Sequence, residues 1–336
     1  MNALRKTPAK YAYGFVILLL LILLPFYADL YTVTTFIRII YFGFLALSVG
    51  YLIGQSGMVS LTQTAFFGMA GYVIGLVGYE RGVMFPTPDL LAIGVVVLTA
   101  LATGLIAART EKIVFLMITL AFGQIAWAFA AQNTTLLHGW AGIRGIRPFI
   151  IFGIDFTRTA NYYWVSLILM GLALLIMWRL IKSPFGLVLN GIRENPRRMS
   201  ALGYPVYMVK VVAFVIAALY AGLGGILATY HTGIITPTTI HLNRTIWILL
   251  IVILGGANYF WGPLIGTVAA VWLDVLLSQA TERYNAVIGV IFLLVVLFSP
   301  TGILGLVDSV RQGKTNLDFV KRILKPQKEH ISQQSE

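Results

Sequence analysis

About ten runs of mostly apolar residues dominate the chain, each close to the roughly 20 residues a helix needs to cross the hydrocarbon core of a bilayer. They lie near 11–28, 33–54, 61–79, 90–108, 113–131, 161–181, 209–230, 245–257, 263–280 and 285–299. Inside lipid, every backbone N–H and C=O must be paired within the spanning element itself, so separate runs of this length predict helices. The fold class that follows is all-α, a polytopic membrane helical bundle of about ten transmembrane helices. Between 31 and 79 the division stays open: two full spans, or one span plus a broken or re-entrant piece. The first run exceeds a signal-peptide core and no small-x-small cleavage pattern follows it, so it is read as a span.

Composition excludes the water-soluble alternatives. Of 336 residues, 59% are hydrophobic and only 11% charged, against about 25% charged in soluble domains. The net charge of +12 does not point to nucleic acid, because Lys and Arg sit in short blocks between apolar runs. With the N-terminus placed in the cytoplasm, all Lys and Arg except Arg38, Arg81, Arg144, Arg147, Arg158, Arg244 and Arg283 fall in cytoplasmic segments. That bias sets the orientation and puts both termini inside. A transmembrane domain is expected over 1–306, including a cytoplasmic loop at 182–208. A basic cytoplasmic tail follows at 307–336, and a loop at 132–160 faces outward. Arg38 is close enough to a span end to snorkel.

A polar side chain at membrane depth has to face protein or a water-filled cavity. The densest such patch is GQSGMVSLTQTAFFG, Gly54 to Gly68. It holds Gln55, Ser56, Gly57, Ser60, Thr62, Gln63 and Thr64. The spacing of Ser56, Ser60, Gln63, Thr64 and Phe67 predicts one helical face. A break near Gly57 would aim the N–H groups of the next helix at a ligand carboxylate. Interhelical hydrogen bonding with close packing is the competing reading, and spacing leaves both open. Thr119 and Gln124, in TLAFGQ, raise the same choice for span 5. Asp274 is the carboxylate well inside a span, which an ion-coupled carrier would use as a proton or sodium site. Gly255, Gly256, Gly262 and Gly266 frame the turn ILGGANYFWGPLIG and read as helix-packing positions.

The loop 182–208 contains a short capped helix. Asn195 is a good N-cap, Pro196 suits the first helical position and Gly203 suits the residue just past the end. The helix predicted over Pro196 to Leu202 is basic through Arg197 and Arg198. It suits a partner that delivers force, or a loop held to anionic headgroups.

No catalytic motif is present. Gly313-Lys314-Thr315 mimics the end of a Walker A loop, but Asp308 occupies the place of its first Gly. There are no cysteines, and His138, His231, His241 and His330 are scattered as ordinary loop residues without ligand spacing. Neither a metal nor a cofactor is expected, and the chain reads as a transport subunit and not an enzyme.

The motifs GQSGMVSLTQTAFFGMAGY, TLAFGQ, SPFG, GIREN, ALGYPVYMVKVVAFVIAALYAGLGGIL, ILGGANYFWGPLIG and FSPTGILGL, in this order, resemble the LivM-like membrane permeases of the branched-chain amino acid ABC importers, over about residues 36 to 307. The resemblance implies the ABC importer permease fold in a bacterial inner membrane. It also implies a LivH-like sister permease, two ATP-binding subunits and a periplasmic solute-binding protein, with lipid around the bundle. The stretch Arg193, Glu194, Asn195, Pro196, Arg197, Arg198, Ala201 and Gly203 would then be the element docked on the ATPase. Gln55, Ser56, Gly57, Ser60, Gln63, Thr64, Thr119 and Gln124 would line half of the solute pathway. Two departures bear on the solute. The outer loop has Leu137-His138-Gly139-Trp140-Ala141-Gly142 where the family commonly has Thr-Gly-Gly-x-x-Gly. Thr62 and Thr64 stand where small or other polar residues are more usual. Branched-chain or similar small amino acids, urea, amides and other small solutes all stay in view.

Overall fold

In the computed structural model the described residues are 20–83, 85–110, 112–148, 150–151, 154–280, 284–298 and 302–305. The run near 11–28 is helical at 20–27, and its residues 11–19 lie outside them, as do the tail 307–336 and His330.

The chain is built from helices. α1 is Leu30–Tyr51 and runs on as a wide π-helical turn, Leu52–Ser56. α2 is Gln63–Val73, likewise extended by a π-helical stretch, Ile74–Glu80. Then come α3 Thr87–Ala107, α4 Lys112–Gln132, α5 Thr159–Lys182, α6 Pro184–Glu194, α7 Pro196–Ala201, α8 Val206–Thr232, α9 Leu242–Gly255, α10 Gly262–Ala280 and α11 Tyr284–Phe298. Among the described residues, seven helices are long and apolar enough to cross a membrane: Leu30–Ser56, α3, α4, α5, α8, Pro237–Gly255 and Gly262–Gln279. α2 and α11, which the apolar runs also suggested as spans, are not among the seven. The open division at 31–79 resolves into one full span followed by a break and a second, shorter helix. Among the described residues, four strands of two residues each depart from the all-α expectation. β1 (Ile143–Arg144) pairs antiparallel with β4 (Ile234–Ile235), and β2 (Ile150–Ile151) with β3 (Ile154–Asp155). They close the loops before α5 and α9, where the backbone has no helical ladder to satisfy it.

The described residues divide into two compact units at Leu249/Leu250. In the first, α1 and α8 form the centre, with 83% and 72% of their apolar windows buried, whereas α3, α4 and α5 bury only 33%, 28% and 22%. The outer helices turn Leu98, Ile125, Phe129, Ile168, Leu172 and Leu175 outward, an apolar surface that suits lipid and not water. α8 lies directly on its neighbours' backbones. A Cβ at Gly225 would overlap the Phe67 carbonyl of α2, and one at Gly224 would sit 2.8 Å from the Tyr41 carbonyl of α1. Small residues allow that approach. Tyrosine hydroxyls tie α8 to α5: Tyr162 donates to the Leu227 carbonyl at 2.6 Å and Tyr220 to that of Ala173 at 2.8 Å.

In the second unit the turn between α9 and α10 is equally tight. A Cβ at Gly255 would overlap the Gly262 carbonyl, one at Gly262 the Gly256 carbonyl, and one at Gly266 the Ile251 carbonyl. Asp274 is half-buried on α10.

Candidate translocation site and coupling arm

The helical ladder of α1 stops at Gly57, whose φ of 68° is left-handed and open to glycine at little cost. Residues 57–62 are therefore not helical, and the predicted single face through Ser56, Ser60, Gln63, Thr64 and Phe67 does not exist as such. The freed backbone is satisfied by side chains. Leu61 N–H donates to Thr119 Oγ1 at 3.3 Å, and Thr62 N–H to Ser60 Oγ at 3.3 Å. Thr62 Oγ1 donates to the Thr119 carbonyl at 2.7 Å. The close fit onto α4 uses Gly123, where a Cβ would lie 3.3 Å from the Leu61 carbonyl.

The break still gathers polar groups. Ser48 on α1 donates to Gln63 Oε1 at 2.7 Å, and Gln63 Nε2 donates to Ser60 Oγ at 3.4 Å. The hydroxyls of Thr64 and Thr245 are bonded to each other. Gln63 is 1% exposed and Thr119 fully buried, so this network is sealed within the chain in the conformation described. At the start of α2, the Ala65 and Phe66 N–H groups both donate to the Thr62 carbonyl. Ser56 donates to Leu52 O at 2.7 Å. Gln55 is half-buried, and its side-chain carbonyl oxygen has no hydrogen-bond partner among the described residues. Gln124 is half-buried and, five residues after Thr119, turned about 140° around α4 from it, so it does not join the cluster.

The loop 182–208 is more structured than one short helix. Ser183 Oγ caps α6 by accepting from Gly186 N–H at 3.4 Å, with Pro184 in the first position. Asn195 Oδ1 caps α7 by accepting from Arg198 N–H at 3.0 Å, and Gly203 beyond it has a φ of 86°. Glu194, Arg197, Arg198 and Ala201 are exposed, and no residue of α7 is buried. Arg193, at the end of α6, reaches back to the break: its Nη1 donates to the Gly54 carbonyl. Its Cγ lies 3.1 Å from where a Cβ of Gly57 would be. A cavity of about 390 Å³ opens beside it, lined among others by Ser56, Gly57, Lys112, Arg193 and Lys210.

Sequence reasoning missed α6, Ser48 and Thr245. A lone serine in an apolar run carries no mark of its partner 15 residues away. The amphipathic pattern of Phe185, Leu189 and Ile192 was the available signal for α6. His231 is in the last turn of α8 and not in a loop, stacked on Tyr162 with ring centroids 6.1 Å apart. His138 lies 2.9 Å from Glu80. Among the described residues no group of His, Cys, Asp or Glu is placed to hold a metal ion.

Comparison with known proteins places this geometry in context. The family described as branched-chain amino acid transport system / permease component matches residues 31–298. The high-affinity branched-chain amino acid transport system permease protein LivM of Escherichia coli K12 is 25% identical, covering 77% of this chain and 67% of that protein. LivM of Salmonella typhimurium LT2 is 26% identical with the same coverage. A probable branched-chain amino acid transport permease protein LivH of Methanocaldococcus jannaschii is 27% identical over 62% of this chain and 63% of its own. No solved structure matches.

Proposed function

The chain belongs to the branched-chain amino acid transport system permease family, and from that premise we propose that it is the membrane subunit of an ATP-driven importer. It forms half of a translocation pathway for branched-chain or similar small amino acids. A LivH-like sister permease supplies the other half, two ATP-binding subunits the energy and a periplasmic solute-binding protein the cargo. The bundle has about ten spans in a bacterial inner membrane, with both termini cytoplasmic. Catalysis belongs to the ATPases.

The observation that carries this reading is the Arg193 link. An exposed, capped, basic helix with none of its own residues buried follows directly on α6, whose Arg193 guanidinium donates to the Gly54 carbonyl of the π-helical turn that continues α1. α7 is then the element the ATPase grips. Nucleotide binding biases a two-state equilibrium in which α6, Arg193 and the unwound segment 57–62 shift together. That shift would open the Ser48–Gln63–Ser60 network to the solute. The partners of these groups are hydrogen bonds of modest strength in a membrane interior, about 0.6 kcal/mol on average, so they can be exchanged for solute and water.

The test is co-purification. Arg197→Glu with Arg198→Glu should weaken ATPase association and leave membrane insertion intact. Undiminished association would remove α7 from the coupling role. Uptake of leucine by the complete importer in proteoliposomes tests the solute. An ion-coupled carrier working through Asp274 would instead take up solute under an ion gradient without ATP.

A further inference from the structure

At the α7 end of the first unit, α3 stops at Ala107 and α8 starts at Val206. A cavity of about 650 Å³ opens between these ends and α7, lined among others by Arg109, Arg197, Ser200, Tyr207, Met208 and Lys210. A space of that size is within the range of small-molecule sites. No acid is among its described lining residues. The spanning stretches of α3 and α8 end within a few residues of it, so it lies at the level where a bilayer passes from hydrocarbon to headgroups.

Tyr207 fastens the foot of α8 to α3, its hydroxyl donating to the Leu105 carbonyl at 2.7 Å. The Arg109 guanidinium lies 5.8 Å from the centroid of the same ring. That contact places the charge without using the donors in the guanidinium plane. Neither Arg109 nor Arg197 has an ion pair or side-chain hydrogen bond among the described residues, and both are exposed. α8 begins without a side-chain cap, so its positive end adds to the field of the two cations. Apolar side chains lead away from this charge. Leu105 and Ile106 on α3 and Met208 and Val212 on α8 are all exposed.

Two cations at headgroup depth, joined to an exposed apolar track on two spanning helices, match a molecule with an anionic head and hydrocarbon tails. We propose that this cavity is a binding site for an anionic phospholipid of the leaflet on the α7 side. The phosphate pairs with Arg109 and Arg197, whose planar donors suit phosphate oxygens, and the Ser200 hydroxyl donates to it as well. The acyl chains run along Leu105, Ile106, Met208 and Val212. Arg198 does not line the cavity, so α7 turns one arginine to lipid and leaves the next for a protein partner. The lipid gives α7, which has no buried residue, a foothold on α3 and α8. The site requires that the chain lie in a bilayer and does not depend on which solute it carries.

Native mass spectrometry of the full chain, stripped of lipid in detergent and titrated with defined lipids, tests it. The probes are phosphatidylglycerol, which is anionic, and phosphatidylethanolamine, whose ammonium cancels the phosphate charge. Phosphatidylglycerol should bind more tightly. Arg109→Gln and Arg197→Gln should each weaken its first binding step about fivefold, the worth of one cation at an anionic surface. Arg179→Gln removes an exposed cation of α5 outside the cavity and should leave that step unchanged. Wild-type affinity in both cavity variants would overturn the site. An equal loss in Arg179→Gln would overturn it too, by showing that diffuse charge suffices. Glycerol phosphate, the anion without chains, should not displace the lipid at equal concentration; displacement would reassign the cavity to a soluble phosphate. Loss of bound phosphatidylglycerol when ATP-binding subunits join would reassign it to protein. If Arg109→Gln fails to insert, Arg197→Gln, on a helix with no buried residue, carries the same test.

Discussion

Replacing Arg193 by Met isolates the connection between the coupling arm and the broken helix. Methionine keeps an unbranched stem, so the contact of the side chain with Gly57 survives. The loss includes the hydrogen bond from a cation to the Gly54 carbonyl. Such bonds contribute about 1.5–3 kcal/mol. Arg193 is exposed overall, so water competes and the lower end applies. About 1.4 kcal/mol corresponds to a factor of about ten in an equilibrium. The equilibrium concerned is between conformations in which the arm and the break move together and those in which they part. The assay is the complete importer in proteoliposomes, reading solute uptake and ATP hydrolysis in the same vesicles. Hydrolysis stimulated by the binding protein should stay within about a factor of two, because α7 still meets the ATPase. Uptake per ATP should fall by about tenfold, on the order the lost bond allows. Unchanged uptake per ATP would refute the idea that force passes through this guanidinium.

Three further outcomes are expected. In a double-mutant cycle on Ser48→Ala and Gln63→Leu, stability in detergent should reveal a coupling of about 0.6–1.7 kcal/mol, the range for membrane hydrogen bonds; zero coupling would mean the pair is not formed. Asn195→Ala removes the α7 cap and should cost about 1 kcal/mol locally, seen as faster hydrogen exchange at the Arg198 amide, with no change expected at the Ser183-capped start of α6. Gly225→Val places carbons where the Phe67 carbonyl sits and should lower the melting temperature and the yield of folded protein, since overpacking costs about 1–3 kcal/mol or more; a normal melting curve would contradict the close approach of α8 and α2.

What could be read from the chain was what is local. Within the described residues the apolar runs lie where the helices lie, and α7 has its cap at Asn195, its proline at Pro196 and its left-handed glycine at Gly203, because each depends on residues three or four apart. The glycines of the α9–α10 turn were equally plain. What escaped was what the three-dimensional chain decides. Helical periodicity was carried through 57–62 because nothing in the sequence says that Thr119 would take over the backbone donors there. Ser48 and Thr245 drew no notice, and Arg244 entered only in the count of charges by side, since each is a single polar residue whose neighbours come from a distant element. α6 was hidden inside a loop because its packing partner is the end of α1.

The pairing of β1 with β4 has a mechanical meaning. Ile143 and Ile235 are held in register, and Gly145 and Ile146 both donate to the Gly233 carbonyl. The long connection between α4 and α5 is thus fastened to the strip of chain that carries Thr239, Arg244 and Thr245. A pull on that connection would load the β1–β4 pairing first, and through it the stretch that leads to Thr245.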